Sequence, residues 1–246
     1  MSKQHFANWE KEGDIGIISL SNGKENYLDQ PNFVDLDQLK TWTNDAGLKG
    51  IIIRGLGRNF SAGANLEILK RQAKDQNNLS KKITQGKNVL NYIETLEIPV
   101  IAAINGICFG GGLEIALACH MRIASKKALF AFPEINHGLL PGLGGMYRTV
   151  NLIRNKTYEI ILNGDLMNAE KALEIGLIDI VAENKNAFDL AREKMLSMTQ
   201  GRSPELIRYA MQAIRNADSL SKEDALKKET EMFCKLAVNL EKQKDD

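Results

Sequence analysis

The sequence has little of three residue types that mark particular classes of protein. It contains 3 cysteines, 3 histidines and 5 prolines in 246 residues. Cys108, Cys119 and Cys234 are too few, and lie in sequence that is too apolar, to form a disulfide framework, and no Cys/His spacing is typical of a zinc site. We therefore expect no bound metal, and a reducing, cytoplasmic compartment fits this cysteine usage best.

An excess of charge and a long apolar run are also absent. Lys and Arg number 32 against 31 Asp and Glu, which gives no surplus charge to attract nucleic acid or an anionic membrane. No segment reaches the roughly 18 uninterrupted apolar residues that a membrane span needs, and residues 1–12 lack the apolar core of a signal peptide. The sequence predicts a soluble, unprocessed protein with neither a nucleic acid nor a membrane partner.

The apolar residues follow strand and helix patterns in turn. With 43% hydrophobic residues, the chain can bury one substantial core, or a core with a helical appendage. Short β-branched runs and helical spacing predict several elements. These are strands at 14–20, 49–54 and 100–104, and helices at 36–43 and 88–96. The strand at 49–54 is expected to be buried on both faces. Residues 66–87 are predicted to form a loop and a partly mobile helix, and the sequence after Arg148 is predicted to be mostly helical.

Three consecutive glycines, Gly110, Gly111 and Gly112, stand directly before a predicted helix at 113–119. Glycines let the backbone approach a ligand closely, and a helix start leaves N–H groups unpaired with a partial positive charge behind them. Negative charge that develops on a ligand would be stabilised there. Taken alone, the motif is explained as well by tight packing between a strand and a helix, and that explanation would be preferred.

Two glutamates stand in apolar surroundings near these glycines. Glu114 lies in the first turn of the predicted helix, where desolvation would raise its pKa toward a useful range. A helix start also favours a carboxylate through the helix dipole alone. Glu134 is a polar side chain within the otherwise apolar residues 131–135. Together the two glutamates form a candidate acid/base pair.

Four motifs in order along the chain resemble the crotonase superfamily, also called the enoyl-CoA hydratase/isomerase family. They are residues 60–66, 98–117, 132–145 and 164–178. The resemblance implies an α/β fold, the crotonase-like spiral of ββα units with a helical C-terminal region. It implies a core for thioester binding and catalysis over residues 1–195, and a helical region over 196–246 for packing and oligomerisation. Proteins of this family are usually homotrimers or homohexamers.

The resemblance also assigns roles to individual residues. The backbone N–H groups of Ala64 and Gly111 would form an oxyanion hole for the thioester carbonyl. Glu114 would be mainly the base that activates water, and Glu134 would give a proton to the α-carbon. Substrate binding is implied for Ala62, Asn65, Leu66, Gly110 and Tyr27. No cofactor is implied beyond coenzyme A or the phosphopantetheine of an acyl-carrier protein, which carries the substrate.

The presence of both family glutamates favours an enoyl-thioester hydratase or dehydratase, in fatty acid metabolism or polyketide biosynthesis. The alternatives within the superfamily are a double-bond isomerase, which commonly keeps only the second glutamate, and a decarboxylase. A protein that keeps the fold only to bind thioesters is the alternative from another class. Substitution of each glutamate distinguishes these functions, because an isomerase should tolerate alanine at Glu114.

The sequence departs from the family pattern at positions that bear on substrate binding. Asn65 stands where the family usually has an acid, and Met211 stands where it often has a lysine, although Arg208 and Arg215 lie nearby. An acyl-carrier protein, which lacks the adenine nucleotide of coenzyme A, would fit these departures. His137 follows Glu134 by three residues, and we expect it to be a structural hydrogen-bonding residue rather than a catalytic one.

Overall fold

The computed structural model describes residues 6–242. His5 and the outer ends of the two predicted domain ranges, residues 1–5 and 243–246, lie outside the described residues. The strands are β1 (Ala7–Glu12), β2 (Ile15–Leu20), β3 (Gly50–Gly55), β4 (Val100–Ile104), β5 (Ile107–Phe109), β6 (Met121–Ser125), β7 (Leu129–Ala131), β8 (Met167–Asn168) and β9 (Ile180–Ala182). The helices are α1 (Leu36–Thr43), α2 (Leu66–Gln72), α3 (Gln76–Glu94), α4 (Gly111–Ala118), a 3-10 helix (Pro133–His137), α5 (Gly145–Ile153), α6 (Lys156–Asn163), α7 (Ala169–Glu174), α8 (Ala187–Thr199), α9 (Pro204–Ser219) and α10 (Lys222–Lys242).

The strands form a large and a small sheet. The large sheet has the order β1-β2-β3-β4-β6-β9, in which β1 and β2 are antiparallel and all other neighbours are parallel. The small sheet has the order β5-β7-β8, with β5 parallel to β7 and β7 antiparallel to β8. Because β4 leads directly into β5 and β6 directly into β7, the chain passes twice from the large sheet to the small one before it starts a helix.

A third crossing follows β3, where Ser61 forms a parallel bridge to Cys108 of β5. The chain then enters α2, just as it enters α4 after β5 and the 3-10 helix after β7. The chain thus repeats one arrangement three times: a strand, then a short strand or a bridge, then a helix. This repetition places three helix starts at the same edge of the small sheet.

Both faces of the large sheet are buried. In β3, Ile51 and Ile53 belong to the main core, whereas Ile52 between them belongs to a second cluster on the opposite face. Helix α8 covers that opposite face through Ala187, Ala191 and Met195. The prediction that residues 49–54 form a strand buried on both faces is confirmed, since side chains of a strand alternate between its faces.

One prediction for an individual element is wrong, and one strand was missed. Residues 66–87, predicted to form a loop and a helix, instead form the two helices α2 and most of α3, and Asp75 between them is the N-cap of α3. In α3 the buried residues begin only at Gly86, so the polar first half of the helix carries no apolar period. Strand β1 was not predicted, because most of its residues face solvent at the edge of the sheet.

The C-terminal part of the described chain is helical, as predicted. Helices α9 and α10 pack on each other, and Ile207 of α9 joins the main core. Ser203 caps α9 through its hydroxyl oxygen, which accepts from the Leu206 N–H at 3.1 Å. Within residues 6–242, no helix combines the length and the apolar character needed to cross a membrane.

Candidate active site

A cavity of about 700 Å³ lies where the three crossings end. Helix α2 starts after Asn65, α4 at Gly111 and the 3-10 helix at Pro133, and each helix start presents unpaired N–H groups. The cavity is therefore bordered by backbone donors as well as by side chains. It is lined by every residue that the sequence analysis proposed for the site: Tyr27, Ala62, Ala64, Asn65, Leu66, Gly110, Gly111, Glu114 and Glu134.

The backbone brings the N–H groups of Ala64 and Gly111 to one part of the cavity wall. A Cβ atom on Gly63 would lie 3.3 Å from the nitrogen of Gly111, so the two segments are in direct backbone contact. On either side of Ala64, the Leu28 N–H donates to the Gly63 carbonyl at 2.8 Å and the Asn65 N–H donates to the Leu28 carbonyl at 3.2 Å. Within the described residues, the N–H groups of Ala64 and Gly111 have no acceptor. Both are available to an oxygen atom of a ligand.

The glycine motif serves close packing and the ligand site together. Gly110 has φ +47° and ψ −120°, a conformation that side chains rarely adopt, and a Cβ atom there would lie 2.6 Å from Oε1 of Glu134. Its N–H donates to the Ala131 carbonyl at 2.9 Å. A Cβ atom on Gly112 would lie 2.7 Å from the backbone oxygen of Ser61. Side chains at these positions would displace the second glutamate or separate the two backbone segments.

Glu114 is a buried carboxylate with strong hydrogen bonds. It lies in the first turn of α4 and is only 1% exposed. Its Oε1 accepts from the Leu143 N–H at 2.6 Å and from the Gly145 N–H at 2.7 Å. Burial raises the pKa of Glu114, whereas the two N–H donors and then the positive charges of Arg148 and Lys87 oppose that rise. The donors orient one oxygen and stabilise the ionised form.

Glu134 differs from Glu114 because its Oε2 is buried and has no hydrogen-bond partner among the described residues. Burial, reinforced by the charge of Glu114, raises the pKa of Glu134 to about 7 from its ordinary value of 4.5, against the opposing effect of a hydrogen bond to its own backbone. An unpartnered carboxyl oxygen is costly in the ionised state. Glu134 therefore holds a proton over much of the pH range below neutrality.

The residues that support Glu114 were not predicted from the sequence. Arg148 of α5 donates from Nη1 to the Leu143 carbonyl at 2.6 Å and forms an ion pair with Glu94 at the end of α3. Leu143 and Gly145 act through backbone N–H groups, which no side-chain pattern reveals. The glycine-rich run within residues 132–145 was the available signal, because it precedes the start of α5.

One wall of the cavity is apolar. Side chains from α2, α3 and the segment after the 3-10 helix contribute Ile68, Leu69, Leu79, Ile83, Leu139 and Leu140. Asn65 lies at the start of this wall, where its Oδ1 caps α2 by accepting from the Ile68 N–H at 3.3 Å and its Nδ2 donates to Asp29 at 3.2 Å. Although Asn65 stands where the family usually has an acid, its side chain still caps the helix.

The structure also locates His137, Arg208 and Arg215, to which the sequence assigns no catalytic role. His137 lines the cavity beside Glu134, so it is placed near the site. Arg208 donates to the Asp45 carbonyl at 3.2 Å, and Arg215 donates to the Thr95 carbonyl at 2.6 Å, away from the cavity lining. In the described part of the chain, no group of three or more His, Cys, Asp or Glu side chains is arranged to hold a metal ion.

Comparisons with known proteins agree with this geometry. The chain matches the family model described as "Enoyl-CoA hydratase/isomerase" over residues 10–245. It is 32% identical over 224 residues to a probable enoyl-CoA hydratase of Bacillus subtilis (strain 168), covering 89% of this chain and 85% of that protein. It is also 32% identical over 242 residues to a short-chain-enoyl-CoA hydratase of Clostridium acetobutylicum, covering 96% of this chain and 90% of that protein.

A solved structure shows the same fold. The crystal structure of an enoyl-CoA hydratase from Polaromonas sp. JS666 superposes with a TM-score of 0.84 at 27% sequence identity, covering 93% of this chain and 90% of that one. The predicted α/β crotonase-like spiral with a helical C-terminal region is confirmed.

Proposed function

Since the chain belongs to the enoyl-CoA hydratase/isomerase family, we propose that this enzyme is an enoyl-CoA hydratase, which adds water across the α,β double bond of an acyl-CoA or catalyses the reverse reaction. The observation that carries the proposal is a pair of carboxyl groups in the cavity wall, the buried Glu114 and the partly buried Glu134, beside the N–H groups of Ala64 and Gly111. A hydratase needs a base for water, an acid for carbon and donors for the carbonyl oxygen.

In the proposed mechanism the N–H groups of Ala64 and Gly111 donate to the thioester carbonyl oxygen. Glu114 removes a proton from water as the water oxygen bonds to the β-carbon, and the electrons of the double bond move toward the carbonyl as an enolate. Glu134 then gives its proton to the α-carbon, and the carbonyl re-forms. Donors aimed at the developing oxyanion lower the barrier without reorganisation, and each such donor typically contributes about 3 to 4 kcal/mol.

The surroundings of the two glutamates support different roles for them. Glu114 accepts two backbone hydrogen bonds and lies near two cations, which favour its ionised form as a base. Glu134, with a pKa raised to about 7 by burial and by the charge of Glu114, retains a proton to donate. Burial raises the pKa of both groups, but only Glu114 has two N–H donors and two cations that oppose the rise, and this difference supports a base role for Glu114 and an acid role for Glu134.

The substrate carrier in this proposal is coenzyme A, and no other cofactor takes part. Both relatives named above are enoyl-CoA hydratases by name, which supports coenzyme A over an acyl-carrier protein. The apolar wall that includes Ile68, Leu79, Ile83 and Leu140 supports a hydrocarbon acyl chain. Tyr27, Ala62, Asn65, Leu66 and Gly110 would contact the thioester and its carrier. The cysteine usage supports a cytoplasmic location.

The exposed apolar side chains support assembly into a homotrimer or homohexamer. Tyr147 of α5 is 72% exposed, Tyr158 of α6 is 71% exposed and Phe233 of α10 is 70% exposed. Helices α5 and α6, which carry Tyr147 and Tyr158, pack on each other, and exposed apolar patches on a monomer commonly mark subunit interfaces. In this proposal the core region supplies the site and the helical region, residues 196–246, contributes to the interface. Multi-angle light scattering should give the mass of three or six chains, and a stable monomer would contradict the proposal.

Hydration of crotonyl-CoA and of longer and branched enoyl-CoA esters tests the function. The loss of absorbance of the conjugated enoyl thioester should be fast with wild type and about 10²- to 10⁴-fold slower with Glu114→Ala or Glu134→Ala. Glu205→Ala, a change of an exposed glutamate in α9, is the control and should keep the wild-type rate.

Two other outcomes would favour the remaining functions. Conversion of 3-enoyl-CoA to 2-enoyl-CoA that survives Glu114→Ala but not Glu134→Ala would identify an isomerase, because that reaction needs only one proton-transferring carboxyl group. If wild type turns over no coenzyme A or carrier-protein ester, the hydratase proposal fails, and decarboxylation or thioester binding without catalysis takes its place.

A further inference from the structure

Arg148 is a buried cation whose guanidinium group donates four hydrogen bonds. It lies in α5 with 6% of its surface exposed. Its Nε and Nη2 donate to the two carboxylate oxygens of Glu94 at 2.7 and 3.0 Å, and Nη2 also donates to Asn91 at 2.8 Å. Its Nη1 donates to the Leu143 carbonyl at 2.6 Å. The guanidinium group therefore ties the end of α3 to the turn that precedes α5.

That turn, residues 143–145, is also the support of Glu114. It offers the Leu143 carbonyl to Arg148 and the Leu143 and Gly145 N–H groups to Oε1 of Glu114. Gly144 in the middle of the turn has φ +98°, and a Cβ atom there would lie 2.5 Å from Nη1 of Arg148. The planar guanidinium group packs on the bare backbone of the turn, a fit that a lysine cannot reproduce.

We propose that Arg148 is a positioning residue for the water-activating carboxylate, and that it acts on Glu114 through the turn of residues 143–145. The inference rests on the proposed hydratase function and adds a residue to its machinery. Arg148 holds the turn in the one conformation that directs two N–H groups at Oε1. The second oxygen of Glu114 is then oriented toward the reacting water, because the carboxylate is planar and its first oxygen is held.

Four charged or titratable groups from three elements surround Glu114. Arg148 lies on α5, Lys87 and Glu94 on α3, and Glu134 on the 3-10 helix. The charges of Arg148 and Lys87 lower the pKa of Glu114, while Glu94 is paired with Arg148. Glu134 and Glu114 oppose each other's ionisation. Removal of the Arg148 charge should therefore raise the pKa of Glu114, so that Glu114 ionises only at higher pH.

The test compares Arg148→Lys and Arg148→Met with wild type on an enoyl-CoA that wild type hydrates. We expect kcat to fall about 10²-fold while KM is unchanged, because a misplaced base slows the chemical step and leaves substrate binding intact. In Arg148→Met the acidic limb of the pH profile of kcat should move to higher pH, because the cation that lowers the pKa of Glu114 is removed. Arg148→Lys keeps the positive charge. Its acidic limb should therefore stay close to the wild-type pH, whereas its kcat should still be low.

Arg122 provides a matched control. It is 4% exposed, pairs with Asp179 at 3.0 Å, and donates to the carbonyls of Leu177 at 2.9 Å and Cys119 at 2.8 Å. It thus resembles Arg148 in burial and in partners but lies beyond the C-terminal end of α4, away from Glu114. Arg122→Met should lower the melting temperature as Arg148→Met does, with wild-type kcat and an unshifted pH profile.

The outcomes separate this inference from the proposed function. If the Arg148 variants lose only thermal stability, as Arg122→Met does, Arg148 is structural and the inference is overturned. If wild type hydrates no thioester, the function fails, and the carboxyl ¹³C NMR titration of Glu114, assigned with Glu114→Gln, still tests the inference. A higher pKa of Glu114 in Arg148→Met supports positioning, and an unchanged pKa in that variant overturns it. If Arg148→Met does not fold, Arg148→Lys decides through kcat: a fall of about 10²-fold supports positioning, and a wild-type kcat overturns it.

Discussion

Replacing Glu134 by glutamine removes one titrating group from the site and keeps nearly the same shape. Burial, together with the charge of Glu114, raises the pKa of Glu134 to about 7 from its ordinary value of 4.5. A difference of this size between folded and unfolded chain corresponds to about 3 kcal/mol, since each pKa unit is about 1.4 kcal/mol. The wild-type enzyme should therefore lose stability with rising pH in a way that Glu134→Gln does not.

The direction follows from which state binds more protons. The unfolded chain ionises Glu134 near pH 4.5, while the folded protein keeps that proton until about pH 7. Between these values the unfolded state holds fewer protons, so the free energy of unfolding decreases as pH rises and levels off above pH 7. The difference in free energy of unfolding between Glu134→Gln and wild type should therefore grow by about 3 kcal/mol, in favour of Glu134→Gln, as the pH rises from 4.5 to 8.

Urea denaturation at fixed protomer concentration, monitored by the fluorescence of Trp9 and Trp42, measures this difference. The two indole rings stack at a centroid distance of 5.6 Å and report on folding. Glu205→Gln, at an exposed position, is the control and should follow the wild-type curve. If the curves for wild type and Glu134→Gln run parallel across this pH range, Glu134 is not protonated near neutral pH and its assigned role as a proton donor fails.

Three further predictions concern the backbone, the acyl wall and a buried amide. Gly110→Ala should reduce kcat by about 10²-fold or more in the hydration assay, because the added Cβ displaces Glu134; an active variant would contradict this. Ile83→Trp should lower kcat/KM for long enoyl-CoA chains about tenfold or more while crotonyl-CoA is little affected, and equal losses across chain lengths would show that Ile83 does not contact the chain. Asn26→Ala should destabilise the fold by about 2 to 4 kcal/mol in urea, since Asn26 is 1% exposed, has φ +48° and donates to the carbonyls of Leu56 and Asn59; a change below about 1 kcal/mol would contradict it.

The sequence predicts those parts of the fold in which one local pattern decides the structure. Strand β4 and helix α1 have the predicted bounds, because a short β-branched run and a helical apolar period each require only neighbouring residues. The three-residue strands β5 and β7 were missed, since they are too short to carry a period and are defined by their pairing within the small sheet. Local patterns contain no information about such pairs.

The same distinction applies to the site. The glycines and the two glutamates stand out because a carboxylate in apolar sequence is unusual wherever it occurs. Arg148 does not stand out, because its partners are Glu94, 54 residues away, and a carbonyl of the turn before its own helix. The sequence can indicate which groups perform the chemistry, but the groups that orient them are recognised only when contacts between distant residues are known.

The surroundings of Glu114 and Glu134 favour different proposed roles, although burial affects the pKa of both. Burial raises the pKa of each, so burial alone would leave two equivalent acids. The difference arises from hydrogen-bond donors: Glu114 receives two N–H groups, while the buried Oε2 of Glu134 receives none within the described chain. A backbone N–H donor favours the ionised form only of the carboxyl group to which it donates. The backbone of residues 143–145, rather than the identity of the two side chains, therefore favours the ionised form of Glu114, and this is the basis for its proposed role as the base.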